Sequence, residues 1–243
     1  MFENLKTDNT IKSDADIIGG YSVLDTNCYD FTIELAYVDT SRGGAMSFNL
    51  HLKDTMGNTL RNTQWMTSGT AKGGNNFYID KQSGEKRYLP GFTQANNICL
   101  LACGKEISDL STDDKVINLY DFKQRKEVPV TKQVITSLLN EQITVGVIRQ
   151  TVDKTANTGT PEQPVYAPTG EVRDENEIDK CFRTSDGLTV NEVKAEATEA
   201  TFKQKWLDKN KGITRNKAKG ASPVGAVTGV PTPVAPQTSL FAK

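Results

Sequence analysis

The sequence predicts a mainly β protein with a few helices and a disordered C-terminal tail. Three observations predict it. Between Tyr29 and Thr67, apolar and polar residues alternate in three runs divided by short turns, the period of half-buried antiparallel strands. From Phe92 to Cys103 the apolar residues take a helical spacing. From Ala221 onward the chain is Pro, Val, Gly, Thr and Ala without a period, which supplies too little apolar surface to offset the entropy of ordering.

Residues 1–20 are polar and end in Gly19-Gly20, an arm with little regular structure of its own. In the first strand Tyr29, Phe31, Ile33, Leu35 and Tyr37 share the apolar face, and Asp30, Thr32, Glu34, Ala36 and Val38 lie opposite. After a turn over residues 39–44, Met46, Phe48, Leu50 and Leu52 face the core of a second strand, with Ser47, Asn49 and His51 on its other side. Residues 54–58 turn the chain again. The third strand sets Leu60, Asn62, Gln64 and Met66 against Arg61, Thr63, Trp65 and Thr67. Short turns between consecutive strands imply an antiparallel meander.

Residues 68–91 form a glycine-rich loop, with a hairpin predicted over Phe77–Asp80 and Glu85–Leu89 about a Lys81-Gln82-Ser83-Gly84 tip. The helix that follows has Ile98, Leu101 and Ala102 as its stripe and Gly104 as its stop. Beyond it come a strand over 116–122, a basic turn at 123–126, a short helix over 131–140 and a strand over 142–152. The last has Ile143, Val145, Val147 and Arg149 on one face. Residues 153–170, rich in Thr, Pro and Gly, read as a linker or long loop. Residues 171–183 are highly charged, anchored by Ile178, Cys181 and Phe182, and read as a last strand or a docking segment. Thr189 and Glu192 form a capping-box pair at the start of a helix over 190–210, with Phe202 and Trp206 one turn apart to pin it to the domain. A basic run from Lys209 to Lys219 leads into the tail, which is assigned to 211–243.

The composition narrows the chemistry. The chain has 243 residues, 36% of them hydrophobic, and a net charge of -1; the mean hydropathy is -0.50. A near-neutral chain is no generic polycation, so any nucleic-acid surface must come from local charge placement. No run approaches the ~18 apolar residues of a membrane span, and no apolar segment near the start reads as a secretory signal. The four cysteines, Cys28, Cys99, Cys103 and Cys181, form no C-x-x-C pair and suit a reduced compartment. With His51 the lone histidine and no phosphate-loop, nucleophile-elbow or zinc-protease motif, neither a catalytic set, a metal site nor a cofactor is predicted. The expectation is a binding protein and not an enzyme.

The candidate ligand is single-stranded DNA. Arg61 and Trp65 lie on the side of the third strand away from the core, as a stacking platform beside a cation. The alternative for Trp65 is an anchor beneath the loop that follows. Within the loop and hairpin, Lys72, Lys86 and Arg87 alternate with Phe77, Tyr78 and Tyr88. Cations meet phosphates, and aromatic faces stack any base. An ordinary solvated hairpin is the competing reading.

Several stretches resemble a family of bacteriophage single-stranded DNA-binding proteins. They are Met1-Phe2-Glu3-Asn4-Leu5, Tyr29 to Tyr37 with the Ser41-Arg42-Gly43-Gly44-Ala45 turn, Trp65-Met66-Thr67-Ser68-Gly69, Tyr88-Leu89-Pro90-Gly91-Phe92, and the segment from Phe202 through Trp206-Leu207 to Lys209-Asn210-Lys211-Gly212. The likeness runs over most of residues 1–219 and is one of texture. It implies an OB-fold-like antiparallel β-barrel over residues 21–152, with an inserted helix, followed by a C-terminal helix within 171–210. It also implies a role in coating single strands during phage replication and recombination, in the cytoplasm of the infected bacterium. Oligomers are compatible with it.

Many such proteins end in an acidic peptide that recruits partners. Here residues 209–243 hold six basic residues and no acid. The chain ends instead in Gln237-Thr238-Ser239-Leu240-Phe241, which resembles the pentapeptide that docks bacterial replication proteins on the sliding clamp. Leu240 and Phe241 would fill an apolar pocket, while the Gln237 amide and Ser239 fix register. Two other classes fit the same residues: a clamp-targeted module acting on the host replisome, and a structural virion protein.

Overall fold

A computed structural model describes residues 23–121, 124–160 and 164–220. The expected N-terminal arm and the terminal peptide Gln237–Phe241 lie outside the described residues. Among the described residues the fold is mainly β, with antiparallel sheets and three α-helices.

The meander forms as its alternation predicts. Strands β1 (Asn27–Thr40), β2 (Met46–Lys53) and β3 (Thr59–Trp65) pair antiparallel in sequence. Phe48, Leu50, Leu52 and Leu60 are fully buried, and Arg61, Thr63 and Trp65 are exposed. In β1 the alternation is interrupted. A register shift between Ile33 and Leu35 inserts one residue, so Phe31, Ile33 and Ala36 share the core while Tyr37 turns to the opposite face. A bulge of this kind reverses which side every later residue takes.

A separate two-stranded hairpin follows, β4 (Phe77–Ile79) with β5 (Lys86–Tyr88). Helix α1 (Pro90–Cys103) starts on a proline at its first turn and stops at Gly104, whose left-handed φ of 72° lets its N–H bond Leu100. Ile98 and Leu101 are buried as predicted, together with Ala95 and Cys99. Strands β6 (Asp113–Asp121) and β7 (Lys126–Val134) make a second hairpin, and β7 joins β1 at Tyr37 and Val38. The helix expected over 131–140 is mostly absent: its first residues continue β7, and only a 3-10 turn spans Thr136–Leu138.

Strand β8 (Gln142–Asn157) pairs with the first half of β1, and β9 (Tyr166–Phe182) pairs with β8 along most of its length. The linker expected over 153–170 is therefore largely the far end of a long β-ribbon, Thr155 facing Pro168 and Asn157 facing Tyr166. Proline is tolerated there because β9 pairs only with β8, leaving its other side outside the ladder. The charged segment 171–183 is thus a strand.

The sheet does not close into the barrel that the resemblance implies. Its ordered path ends at β3 on one side and at β9 beyond β8 on the other. Helix α1 lies across that opening. On the β3 side, a Cβ added at Gly91 would stand 2.2 Å from the carbonyl oxygen of Trp65. On the β9 side, Gln94 Nε2 donates to the Ile178 carbonyl at 2.7 Å. The main core fills the space beneath, with Ile98 packed among Phe31, Leu50, Val145 and Ile178.

The single helix expected over 190–210 is two, α2 (Val190–Lys194) and α3 (Thr201–Asn210). The predicted capping box is present, and the same Glu192 carboxylate also accepts from the Phe202 N–H at 2.8 Å. One side chain thus ends two orphan-donor sets and fixes the break. Trp206 is buried as expected, against Ile148 and Phe182, and its Nε1 donates to Asp179 at 2.8 Å. Gly146 lies beneath its ring, where an added Cβ would stand 3.0 Å from the Trp206 ring. After α3 the chain returns along the sheet as β10 (Arg215–Asn216), parallel to β8. The start of the assigned tail is therefore structured through Gly220, with Lys217 paired to Glu177 at 2.6 Å and Arg215 to Asp179 at 3.8 Å. Those cations balance acids on β9.

Candidate nucleic-acid interface

The face of the meander turned away from the core is built from three cross-strand rows. They read Leu35, His51, Arg61; then Tyr37, Asn49, Thr63; then Asp39, Ser47, Trp65. Directly opposed residues project from the same side, so the rows form one surface. Its middle is polar and internally bonded. Thr63 Oγ1 donates to Asn49 Oδ1 at 2.8 Å, and Asn49 Nδ2 donates to Ser47 Oγ at 3.0 Å. Tyr37 meets His51 edge-on, with ring centroids 6.0 Å apart. Lys132 reaches from β7 to Asp39 at 2.6 Å. Bonded in this way, the framework has few rotamers left to lose on binding.

Two side chains stand out from it. Trp65 is 50% exposed. Arg61 is exposed and makes no ion pair among the described residues. The Trp65 backbone lies against Gly91 in the first turn of α1, and the residue remains half open. Beside Arg61 a groove of about 340 Å³ opens between the sheet face and the β6–β7 hairpin, lined by Tyr37, His51, Thr63, Leu119 and Tyr120. Sequence reasoning missed Tyr37 and Tyr120. The first was assigned to the core face because alternation says nothing of the bulge. The second lies beside the basic turn that the sequence did single out.

The remaining candidates sit on the β4–β5 hairpin and its approach. Phe77 faces Tyr88, Tyr78 faces Arg87 and Ile79 faces Lys86. Asp80 shapes the tip by accepting from the N–H groups of Gln82 and Ser83. Tyr78 and Tyr88 are exposed, and Lys86 Nζ lies 4.7 Å from the Phe77 ring centre. Arg87 is less free than expected, since Asp80 and Glu85 lie 3.4 and 3.8 Å from its guanidinium. Lys72 is exposed in a 3-10 turn (Thr70–Lys72) held by Gly43 and Gly69. The structure thus divides the predicted set: Arg61 and Trp65 share the sheet face, while Phe77, Tyr78, Lys86, Arg87 and Tyr88 share the hairpin.

No protein-family model and no curated protein matches the chain. The geometry therefore carries the functional argument.

The thiols take no part in it. Burial pushes the Cys28 thiol up to about 11 and those of Cys99 and Cys181 up to about 12, so all three stay protonated and act as packing.

His51 gives the face a pH signature. Its burial, then the Arg61 charge, lower its pKa below the usual 6.5, against smaller opposing effects from Glu34 and Glu127. The free protein therefore carries a neutral imidazole at pH 7. In stability terms, a lowered folded pKa contributes above the unfolded value and is lost as pH falls through the folded one. A phosphate bound here would favour the imidazolium, so its binding would take up a proton. Single-strand affinity is expected to rise as pH falls from 8 to 5.5, and H51Q to flatten the profile. Equal slopes for both proteins in a fluorescence-anisotropy titration would remove His51 from the interface.

Proposed function

We propose that this protein is a non-enzymatic binder of single-stranded DNA that coats strands without sequence preference during phage DNA replication, recombination and repair. One observation carries the reading: an internally bonded sheet face, partly covered by the β6–β7 hairpin, whose β3 edge presents a half-exposed Trp65 and, on the same side of that strand, an Arg61 that makes no ion pair among the described residues. Stacking on Trp65 is worth roughly 1–3 kcal/mol per base and tolerates any base. Arg61 adds a phosphate contact whose strength falls with salt. The exposed aromatics and cations of the β4–β5 hairpin extend the same chemistry. Among the described residues, no helix is long and apolar enough to cross a membrane, and no cluster of His, Cys, Asp and Glu is arranged to hold a metal.

The C-terminal peptide supplies the second half of the proposal. Gln237, Ser239, Leu240 and Phe241 bring the coated strand to the bacterial sliding clamp or another replisome protein. Deleting residues 237–243 is expected to abolish clamp capture and leave oligo-dT affinity within about twofold. Loss of clamp capture with no DNA binding by either protein would favour a clamp-targeted module instead. Stable association with virus particles and no clamp contact would favour a structural role.

A further inference from the structure

A cleft lies on the other side of α1 from β3. It has a volume of about 690 Å³ and is walled by α1, β9, α2 and α3, with Tyr88 of the hairpin at its rim. That size is ordinary for a ligand site. Its lining carries the same chemistry as the sheet face. Tyr88 and Phe202 are exposed aromatics at its edge, and each is braced from behind. Tyr88 lies 5.0 Å from Phe92 and Phe202 lies 6.4 Å from Phe182, centre to centre. A ring already held in place loses little freedom when a base stacks on it.

The cleft lining holds two acids and two lysines, and the two kinds differ in their partners. Its two acids are engaged: Asp179 accepts from Trp206 and pairs with Arg215, and Glu192 caps α2 and α3. Lys180 and Lys205 are exposed and make no ion pair among the described residues. The side-chain amides of Asn97 and Asn191, also in the lining, have no hydrogen-bond partner among the described residues. Two free cations, two free amides and two braced aromatics are what a flexible polyanion with flat bases requires.

The cleft also begins close to the Trp65 backbone. Gly91 sits on the Trp65 backbone, and the neighbouring Pro90 and Tyr88 line the cleft. A strand leaving Trp65 would therefore round the first turn of α1 and meet Tyr88 next.

We infer that this cleft is a second contact for single-stranded DNA, continuing the path from the sheet face past the hairpin; the inference rests on the single-strand reading proposed above. Lys180 and Lys205 contact phosphates, Tyr88 and Phe202 stack bases, and the Asn97 and Asn191 amides meet base edges.

The test uses the full-length protein, its K180Q/K205Q double variant and F202A, with labelled oligo-dT of graded length at several salt concentrations. Wild-type affinity should rise with length in two stages, first as the sheet face fills and then as the strand reaches the cleft. The double variant should keep the first stage and lose the second. Its salt slope on long oligomers should be shallower by about 1.4, two phosphates at about 0.7 each. F202A should weaken long-oligomer binding at least about fivefold and leave short oligomers unchanged. All three substituted side chains are exposed, and matching thermal unfolding curves establish that the variants are folded. Wild-type affinity and slope in folded variants at every length would overturn the inference, and a protein ligand in the cleft would give that result. Wild-type protein that binds no oligomer at low salt would instead overturn the single-strand reading, and the cleft with it.

Discussion

Replacing Trp206 by alanine is expected to destabilise the protein by roughly 3–5 kcal/mol, the usual cost of deleting a buried aromatic. Trp206 is 4% exposed and covers the side of β8 opposite the main core, where Ile148 and Phe182 are buried with it. Truncation leaves a void that neighbouring strands cannot fill, because β8 is held by β1, β9 and β10. It also removes the Nε1 donor from Asp179. Urea unfolding measures the loss, and W206F should recover part of it by restoring a ring over Gly146. A loss below 1 kcal/mol for W206A would mean that α3 is not fixed to the sheet as described.

The second large effect is on binding. The R61A/W65A double variant should lose oligo-dT affinity by roughly 10- to 1,000-fold at low salt, since one stacking platform and one phosphate contact go together. Its salt slope should be shallower by about 0.7. The effect on folding should be much smaller than that of W206A, because Arg61 is exposed and Trp65 half so. A double variant that binds as tightly as wild type would move the interface away from the meander.

These two tryptophans show what was legible in the sequence. Alternation in the third strand put Arg61 and Trp65 on the side away from the core while leaving open whether Trp65 packs beneath the following loop, and the i, i+4 spacing of Phe202 and Trp206 pointed to a helix pinned to the domain, where Trp206 is buried. The hairpin tip, the stop at Gly104 and the Thr189–Glu192 capping box were equally local signals. Features that depend on distant residues were not legible. The bulge after Ile33 carries Tyr37 to the outer face, yet its stretch of β1 still alternates in sequence. The Thr/Pro/Gly segment before Gly170 reads as a loop, but pairing with β8 makes it a strand. The basic residues Arg215 and Lys217 look like the start of a free tail until Asp179 and Glu177 are seen beside them. Openness of the sheet follows from α1 seating Gly91 on Trp65 and Gln94 on Ile178, contacts between residues far apart in the chain.

The central claim is that the Trp65 face binds single-stranded DNA. Because Trp206 is buried and Trp65 is half exposed, quenching of tryptophan emission by oligo-dT should report on Trp65 almost alone. The most direct measurement is that titration for wild type and W65F at two salt concentrations. Saturable quenching in wild type, weaker at high salt and nearly absent in W65F, is the predicted result. No quenching and no binding at low salt, or quenching that survives W65F unchanged, would contradict it.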